Sequence, residues 1–280
     1  MHLLLVDGSN LLFQMFYGMP SRIVNHRGKA IQGTLGFVGA LLKILRSVEP
    51  THAAVLFDGE CGNPRRELDS AYKDNRTDFS QLPEEETPFS QLPDIYAALD
   101  FLGIAHGETE SCEADDWIAA YARRIGEDDR LTIVSQDSDL YQLIRANIHI
   151  LRYRGEKTAI WDGQMLQQKL GILPQQYAAY KALTGDTADN IRGADKVGPK
   201  TAAWLLQTYG DLENLLALAH TIPKPAIRES VQRNRARILL NYQLICLAES
   251  REIPFPLEQL AYTPRDIRTI DVLRAIGLRE

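Results

Sequence analysis

The sequence predicts an α/β fold with a mostly parallel central sheet flanked by helices, and three observations point to it. Short apolar runs recur at residues 2–6, 53–57, 131–134 and 148–151. Stretches with helical spacing separate them, notably 37–45, 95–102 and 112–124. Strands alternating with helices build parallel sheets with helical cover. Finally, an acid closes three of the four runs: Asp7, Asp58 and, within three residues, Asp137. In open α/β sheets, sites form beyond the carboxyl ends of strands. Acids far apart in sequence can therefore converge there, although Asp-Gly is also a common turn signal.

Taken in order, run 2–6 stops at Asp7-Gly8, and an amphipathic helix follows at 37–45. Run 53–57 stops at Asp58-Gly59. Residues 61–92 are polar, charged and interrupted by Pro64, Pro83 and Pro88, which reads as a long, partly helical excursion from the sheet. From about residue 164 the pattern is mainly helical. This divides the chain into an α/β core at 1–163, including the excursion, and a helical region at 164–280. A helix–hairpin–helix is expected at about 186–206, with Ile191-Arg192-Gly193 opening the turn and Val197-Gly198-Pro199 closing it.

The chain has 280 residues, 45% of them hydrophobic and 24% charged, so a folded globular protein is expected. The net charge of −6 argues weakly against a nucleic-acid partner, but bound cations invert the field of an acidic pocket. Glu84–Glu86 and residues 127–129 read as solvated acids. Cys61, Cys112 and Cys246 form no CxxC pair, so neither a zinc knuckle nor a redox dithiol is suggested, and the sparse set suits a reducing cytosol. No signal peptide or membrane-length apolar run is present, so a cytoplasmic protein is expected.

Three motifs carry the chemistry. Glu113, Asp115 and Asp116 open a helix, where acids are ordinary capping residues, but three in four positions repel unless cations compensate them. Asp137 and Asp139 follow a strand, two apart. Asp186 and Asp189 are three apart, a spacing that puts them on one helical face. With Asp7 and Asp58 these make nine candidate metal ligands. Hard oxygen donors suit Mg²⁺ or Mn²⁺. Their number suggests two ions, which about 4 Å apart can activate water and stabilise the leaving oxygen of a phosphodiester.

The segments LLLVDGSNLLF, AVLFDGE, YKDNR, CEADDWIA, IVSQDSDLYQL and LTGDTADNIRGADKVGPKTAAWLL span residues 3 to 206. In this order they resemble the 5′ nuclease superfamily: flap endonucleases, bacteriophage 5′ nucleases and the N-terminal nuclease domain of bacterial DNA polymerase I. The resemblance implies a PIN-like sheet with a helical arch over it. It also implies a divalent-metal flap endonuclease or 5′-3′ exonuclease cutting DNA at single-strand/duplex junctions in replication and repair. By the same resemblance, Asp7, Asp58, Glu113 and Asp115 form a first metal group. Asp137, Asp139, Asp186 and Asp189 form a second, with Asp116 between them. Lys73 and Arg76 act from the arch with Asp7, Asp58 and Asp116 in catalysis, and Arg66 binds phosphate near the arch base. Arg192, Lys196, Gly198 and Lys200 would meet duplex phosphates at the hairpin, which in the family also holds K⁺. Branched or 5′-flap DNA, including RNA-primed DNA, is the implied partner of a monomer.

Three departures stand out. Gln14 replaces an arginine frequent in relatives, Lys196 replaces a hairpin glycine, and the segment after Arg76 is acidic. With the sequence ending at Glu280, no polymerase domain is expected. A PIN-like ribonuclease and a junction-binding protein with little catalysis are the alternatives. The acid cluster and the hairpin argue against both.

Overall fold

The computed structural model describes residues 1–19, 21–59, 64–248 and 251–280; Cys61 lies outside them. The core opens with β1 (His2–Asp7), α1 (Gly8–Gly18), α2 (Gln32–Val48) and β2 (His52–Phe57). After α3 (Pro64–Leu68) come α4 (Leu92–Leu102), β3 (Ala105–Glu108), α5 (Ala114–Arg124) and β4 (Arg130–Val134). β5 (Ile148–Arg152) and β6 (Ala159–Trp161) complete the sheet. Its strand order is β3-β2-β1-β4-β5-β6, parallel except for β6. The order reverses between β1 and β4, which places a crevice beyond the carboxyl ends of these strands.

The apolar runs are explained by cover on both faces. Leu3 and Leu5 of β1, Ala54 and Leu56 of β2, and Leu131 and Ile133 of β4 face one core, with α5. Leu4, Val6, Ala53, Val55 and Phe57 alternate to the other, against α2 and α4. Register follows from this alternation, because a one-residue slip would exchange the two faces. β1 therefore pairs Asp7 with Leu56 of β2, and Val6 with Val134 of β4. Asp7, Asp58 and Ser135 thus emerge at one edge. Gly8 is required at this point, since a Cβ there would lie 2.5 Å from the Phe57 ring.

Beyond the sheet lie α6 (Gly163–Leu170), α7 (Tyr177–Thr184) and a hairpin of β7 (Gly185–Asp186) and β8 (Ile191–Arg192). They are followed by α8 (Pro199–Tyr209), α9 (Leu212–Ala217), α10 (Pro225–Arg233), α11 (Arg235–Ile245) and α12 (Thr269–Ala275). The helix–hairpin–helix therefore starts at Tyr177, earlier than the expected 186. Asp186 and Asp189 do not share a helical face: the first is in β7 and the second in the turn after it. Gly185, at φ +82, ends α7, and Gly193 packs so close to Thr184 that a Cβ there would sit 2.3 Å from its carbonyl carbon. Residues 64–91 form α3, turns and three short 3₁₀ helices. Among the described residues, no helix is long and apolar enough to cross a membrane.

Candidate active site

The carboxyl ends of β1, β2 and β4, with the start of α5, enclose a cavity of about 200 Å³. Asp7, Asp58, Glu113, Asp115 and Asp137 line it, with Lys73 and Arg76 on its rim. A larger cavity of about 720 Å³ opens elsewhere, beside His2, Arg130 and His149. Its acids include the exposed Asp128 and Asp129, which is paired with the N-terminus, so chemistry rather than size selects the smaller one.

Asp7, Asp58 and Asp137 are each tied to backbone amides. Asp7 caps α1, its Oδ1 accepting the Asn10 N–H at 2.9 Å, while Ser135 Oγ donates to Oδ2 at 2.7 Å. Asp58 Oδ1 accepts the Ala114 N–H at the start of α5 (2.8 Å). The Asp137 N–H donates to Ser135 Oγ (2.9 Å), so one hydroxyl ties Asp7 to the loop after β4. Burial, reinforced by the Asp58 charge, pushes the Asp7 carboxyl up to about 7. Burial and then the charge of Asp137 raise Asp115 well above the usual carboxylate range. Burial raises Asp137 as well. These acids repel one another in a dehydrated pocket, which a divalent cation would reverse.

The second group is Asp139, Asp186 and Asp189, which bring one oxygen each to within 4.8 Å of one another. Burial and then Asp137 raise Asp139 to about 8, and its buried Oδ1 accepts no hydrogen bond. A buried carboxylate oxygen without a hydrogen bond, facing two more acids, fits a hard divalent cation. Asp137 stands with the first group but touches the second, its Oδ1 accepting the Asp139 N–H at 2.8 Å.

The excursion is stapled over this site. The Lys73 N–H donates to Asp189 O (3.0 Å), Asn75 Nδ2 to Thr187 O (2.9 Å), and Asn190 Nδ2 to Ala71 O (2.8 Å). Lys73 sits at φ 57, a left-handed strain that these bonds sustain. Its ammonium meets Glu113 Oε1, and Arg76 Nη2 lies 2.7 Å from Asp189 Oδ1.

Asp116 is placed differently from the other acids. It is buried under Arg65, whose guanidinium grips both its oxygens (2.7 and 2.9 Å), and it also accepts the Ala248 N–H. Against the effect of burial, Arg65 holds Asp116 below the usual range. Asp116 is thus paired with Arg65 and, unlike the other acids of its motif, is not among the residues that line the cavity. Arg65 also donates to Leu244 O (2.8 Å), to Cys246 O (3.2 Å) and to Glu113 Oε2 (2.8 Å). The neighbouring Arg66 is exposed, donating to Tyr72 O at 3.3 Å. Gln14 donates instead to Tyr153 O (2.7 Å). Arg192, Lys196, Gly198 and Lys200 are exposed around the start of α8, and the turn closes with Lys196 left-handed at φ 64. Sequence reasoning missed Arg65, Ser135, Tyr72, whose hydroxyl donates to Glu113 Oε2 (3.3 Å) and Asp189 Oδ2 (3.4 Å), and Lys181, whose ammonium meets Asp186 Oδ2. Asn10 and Ser135 stand within the quoted motifs, where polar residues beside the acids were the available signal.

Family models match nearly the whole chain: "5'-3' exonuclease, N-terminal resolvase-like domain" over residues 2–171, and "5'-3' exonuclease, C-terminal SAM fold" over 172–268. The chain belongs to the 5′-3′ exonuclease family. It is 37% identical over 276 residues to DNA polymerase I of Rhizobium leguminosarum, covering 95% of this chain and 26% of that protein. The chain therefore spans about a quarter of that relative. It is also 32% identical to the flap endonuclease Xni of Aeromonas hydrophila subsp. hydrophila, covering 94% of this chain and 96% of that protein. The fold is that of a bacteriophage T5 flap endonuclease solved with DNA and metal ions, with a TM-score of 0.72 at 20% identity, covering 99% of this chain and 94% of that one.

Proposed function

We propose that this family member is a divalent-metal-dependent, structure-specific 5′ nuclease that hydrolyses DNA phosphodiesters at single-strand/duplex junctions during replication and repair. The observation that carries the reading is the convergence of Asp7, Asp58, Glu113, Asp115 and Asp137 in one cavity beside Asp139, Asp186 and Asp189. Asp7, Asp58, Glu113 and Asp115 would hold one Mg²⁺, with Mn²⁺ a substitute. Asp139, Asp186 and Asp189 would hold a second, and Asp137 stands between. Bound there, two such ions supply an activated water and charge stabilisation for the leaving oxygen.

The chain's own residues do the rest. Lys73 and Arg76, now on Glu113 and Asp189, are placed to turn to the scissile phosphate when DNA arrives, and Lys73 can meet developing negative charge. Arg66, exposed at the base of the excursion, would contact an adjoining phosphate. The start of α8 presents uncapped amides with Arg192, Lys196, Gly198 and Lys200 around it, which suits duplex backbone without base readout. K⁺ held by the hairpin carbonyls belongs to the same reading, as do RNA-primed substrates, a monomeric state and a cytoplasmic location.

Cleavage of an end-labelled 5′-flap duplex tests the reading, with Mg²⁺ or chelator, beside Asp137→Ala and Asp186→Ala. Mg²⁺-dependent cuts at the junction, lost in both variants, are expected. Tight junction binding with intact substrate, where a known flap nuclease cuts, would favour a binding protein and sink catalysis on this substrate.

A further inference from the structure

The second carboxylate group carries a cation of its own. Lys181, in the last turn of α7, brings a half-buried ammonium against Asp186 Oδ2 and 3.8 Å from Asp139 Oδ1. That Asp139 oxygen is buried without a hydrogen bond, on a residue only 8% exposed. Lysine suits a temporary counter-charge: it is a compact point charge on a flexible stem, able to withdraw without disturbing the helix that bears it. In the first group, Glu113 is met by Lys73 and Arg65, both from the excursion and not from a core helix, and Arg76 of the same segment reaches Asp189 of the second group.

We propose that Lys181 is a positioning residue for the second carboxylate group. Its ammonium holds Asp139 and Asp186 together in the metal-free protein and gives way to an incoming divalent cation, so it sets that group's affinity for metal and not the first group's. This inference deepens the two-metal reading and rests on it. Removing the ammonium has two effects. It deletes a charge that competes with the ion, and it leaves Asp139 and Asp186 without that counter-charge when the ion is absent. A lysine with only a structural role would produce the second effect alone.

Mn²⁺ binding to the full chain without DNA, followed by electron paramagnetic resonance of the free ion, tests it. Wild type is expected to bind two classes of Mn²⁺, one of them lost in Asp186→Ala. In Lys181→Met, which keeps the apolar stem, that class should tighten on the order of tenfold or more, the low end of what removing a unit charge a few ångströms from a dication yields. The other class should not move. The urea midpoint should fall in chelator and recover in saturating Mn²⁺. Lys181→Gln must shift the affinity in the same direction, and it serves alone if the methionine variant does not fold. Unchanged or weaker binding in the Asp186-dependent class, with two classes seen in wild type, overturns the role of Lys181. Fewer than two Mn²⁺ in wild type overturns the two-metal reading itself, and this inference with it.

Discussion

Removing divalent metal should make the folded chain sensitive to mild alkali, with a sign fixed by its buried acids. Burial and the Asp58 charge raise Asp7 from 3.8 to about 7, and burial with Asp137 raises Asp139 from 3.8 to about 8. Between those limits the folded chain keeps protons that the unfolded chain has lost. The associated stability is thus fully present below about pH 4, declines as pH rises, and is gone above about pH 7 for Asp7 and about pH 8 for Asp139. For Asp7 alone the rise amounts to at most about 4 kcal/mol, taking about 1.4 kcal/mol per pH unit. Asp139 does not simply add to this, since Asp137 acts on both. Asp116 has the opposite sign, its contribution being lost only below the usual carboxylate range, so it is silent from pH 5 to 8. Equilibrium urea unfolding in chelator at pH 5, 6, 7 and 8 reads this directly. The free energy should fall by a few kcal/mol across the series, and millimolar Mg²⁺ at pH 8 should restore it. Asp7→Asn should flatten the slope. Metal-free stability that is constant or rising from pH 5 to 8 would refute the reasoning, because repelling buried carboxylates would then not dominate the pocket.

Asp115→Asn and Asp116→Asn should separate two neighbouring acids that sequence treats alike. The first should lower kcat on a 5′ flap by on the order of a hundredfold or more while raising metal-free stability. The second should cost about 1–3 kcal/mol by removing one of the two carboxylates that pair with buried Arg65, with the number of bound Mn²⁺ unchanged. Lys196→Gly should stabilise the chain by about 0.5–1 kcal/mol in urea unfolding, since it relieves a left-handed φ at the expense of backbone entropy. Lys73→Met should reduce kcat by about a hundredfold or more; a change in KM alone would place Lys73 in binding and not in the transition state.

The strands and most acids were legible because one local signal carries both. An apolar run covered on two faces must end where the chain leaves the sheet, and Asp7 and Asp58 stand at those ends. β3 escaped because Ala105–Glu108 is neither apolar nor β-branched, and β6 because Ala159–Trp161 is only three residues long. The Asp186/Asp189 pair was found, but with the wrong geometry: a spacing of three fits a helical face and a tight turn equally well. Gly185 and Gly193 were the cue that decides it, since both are needed where β7 and β8 meet α7. Asp116 was not separable from Asp115, because the partner that claims it, Arg65, lies 51 positions away. Lys181 was hidden for the same reason, its meaning depending on Asp139 from the loop after β4.

These long-range partners also explain how the site is assembled. The cavity acids Asp7, Asp58, Glu113, Asp115 and Asp137 all come from the segment matched by the N-terminal family model. The second group does not: Asp139 comes from that segment, and Asp186 and Asp189 from the next one. It forms only when the hairpin docks against the loop after β4. The contacts that hold this docking are themselves ionic, with Lys181 bridging Asp186 and Asp139 while Arg76 and the Lys73 backbone reach Asp189. In the metal-free chain, side-chain cations therefore stand beside the acids proposed to bind a divalent ion, and the excursion is tied to the same acids. A divalent cation held by Asp139, Asp186 and Asp189 would therefore compete with Arg76 for Asp189, which would couple occupancy of the second group to the position of the excursion.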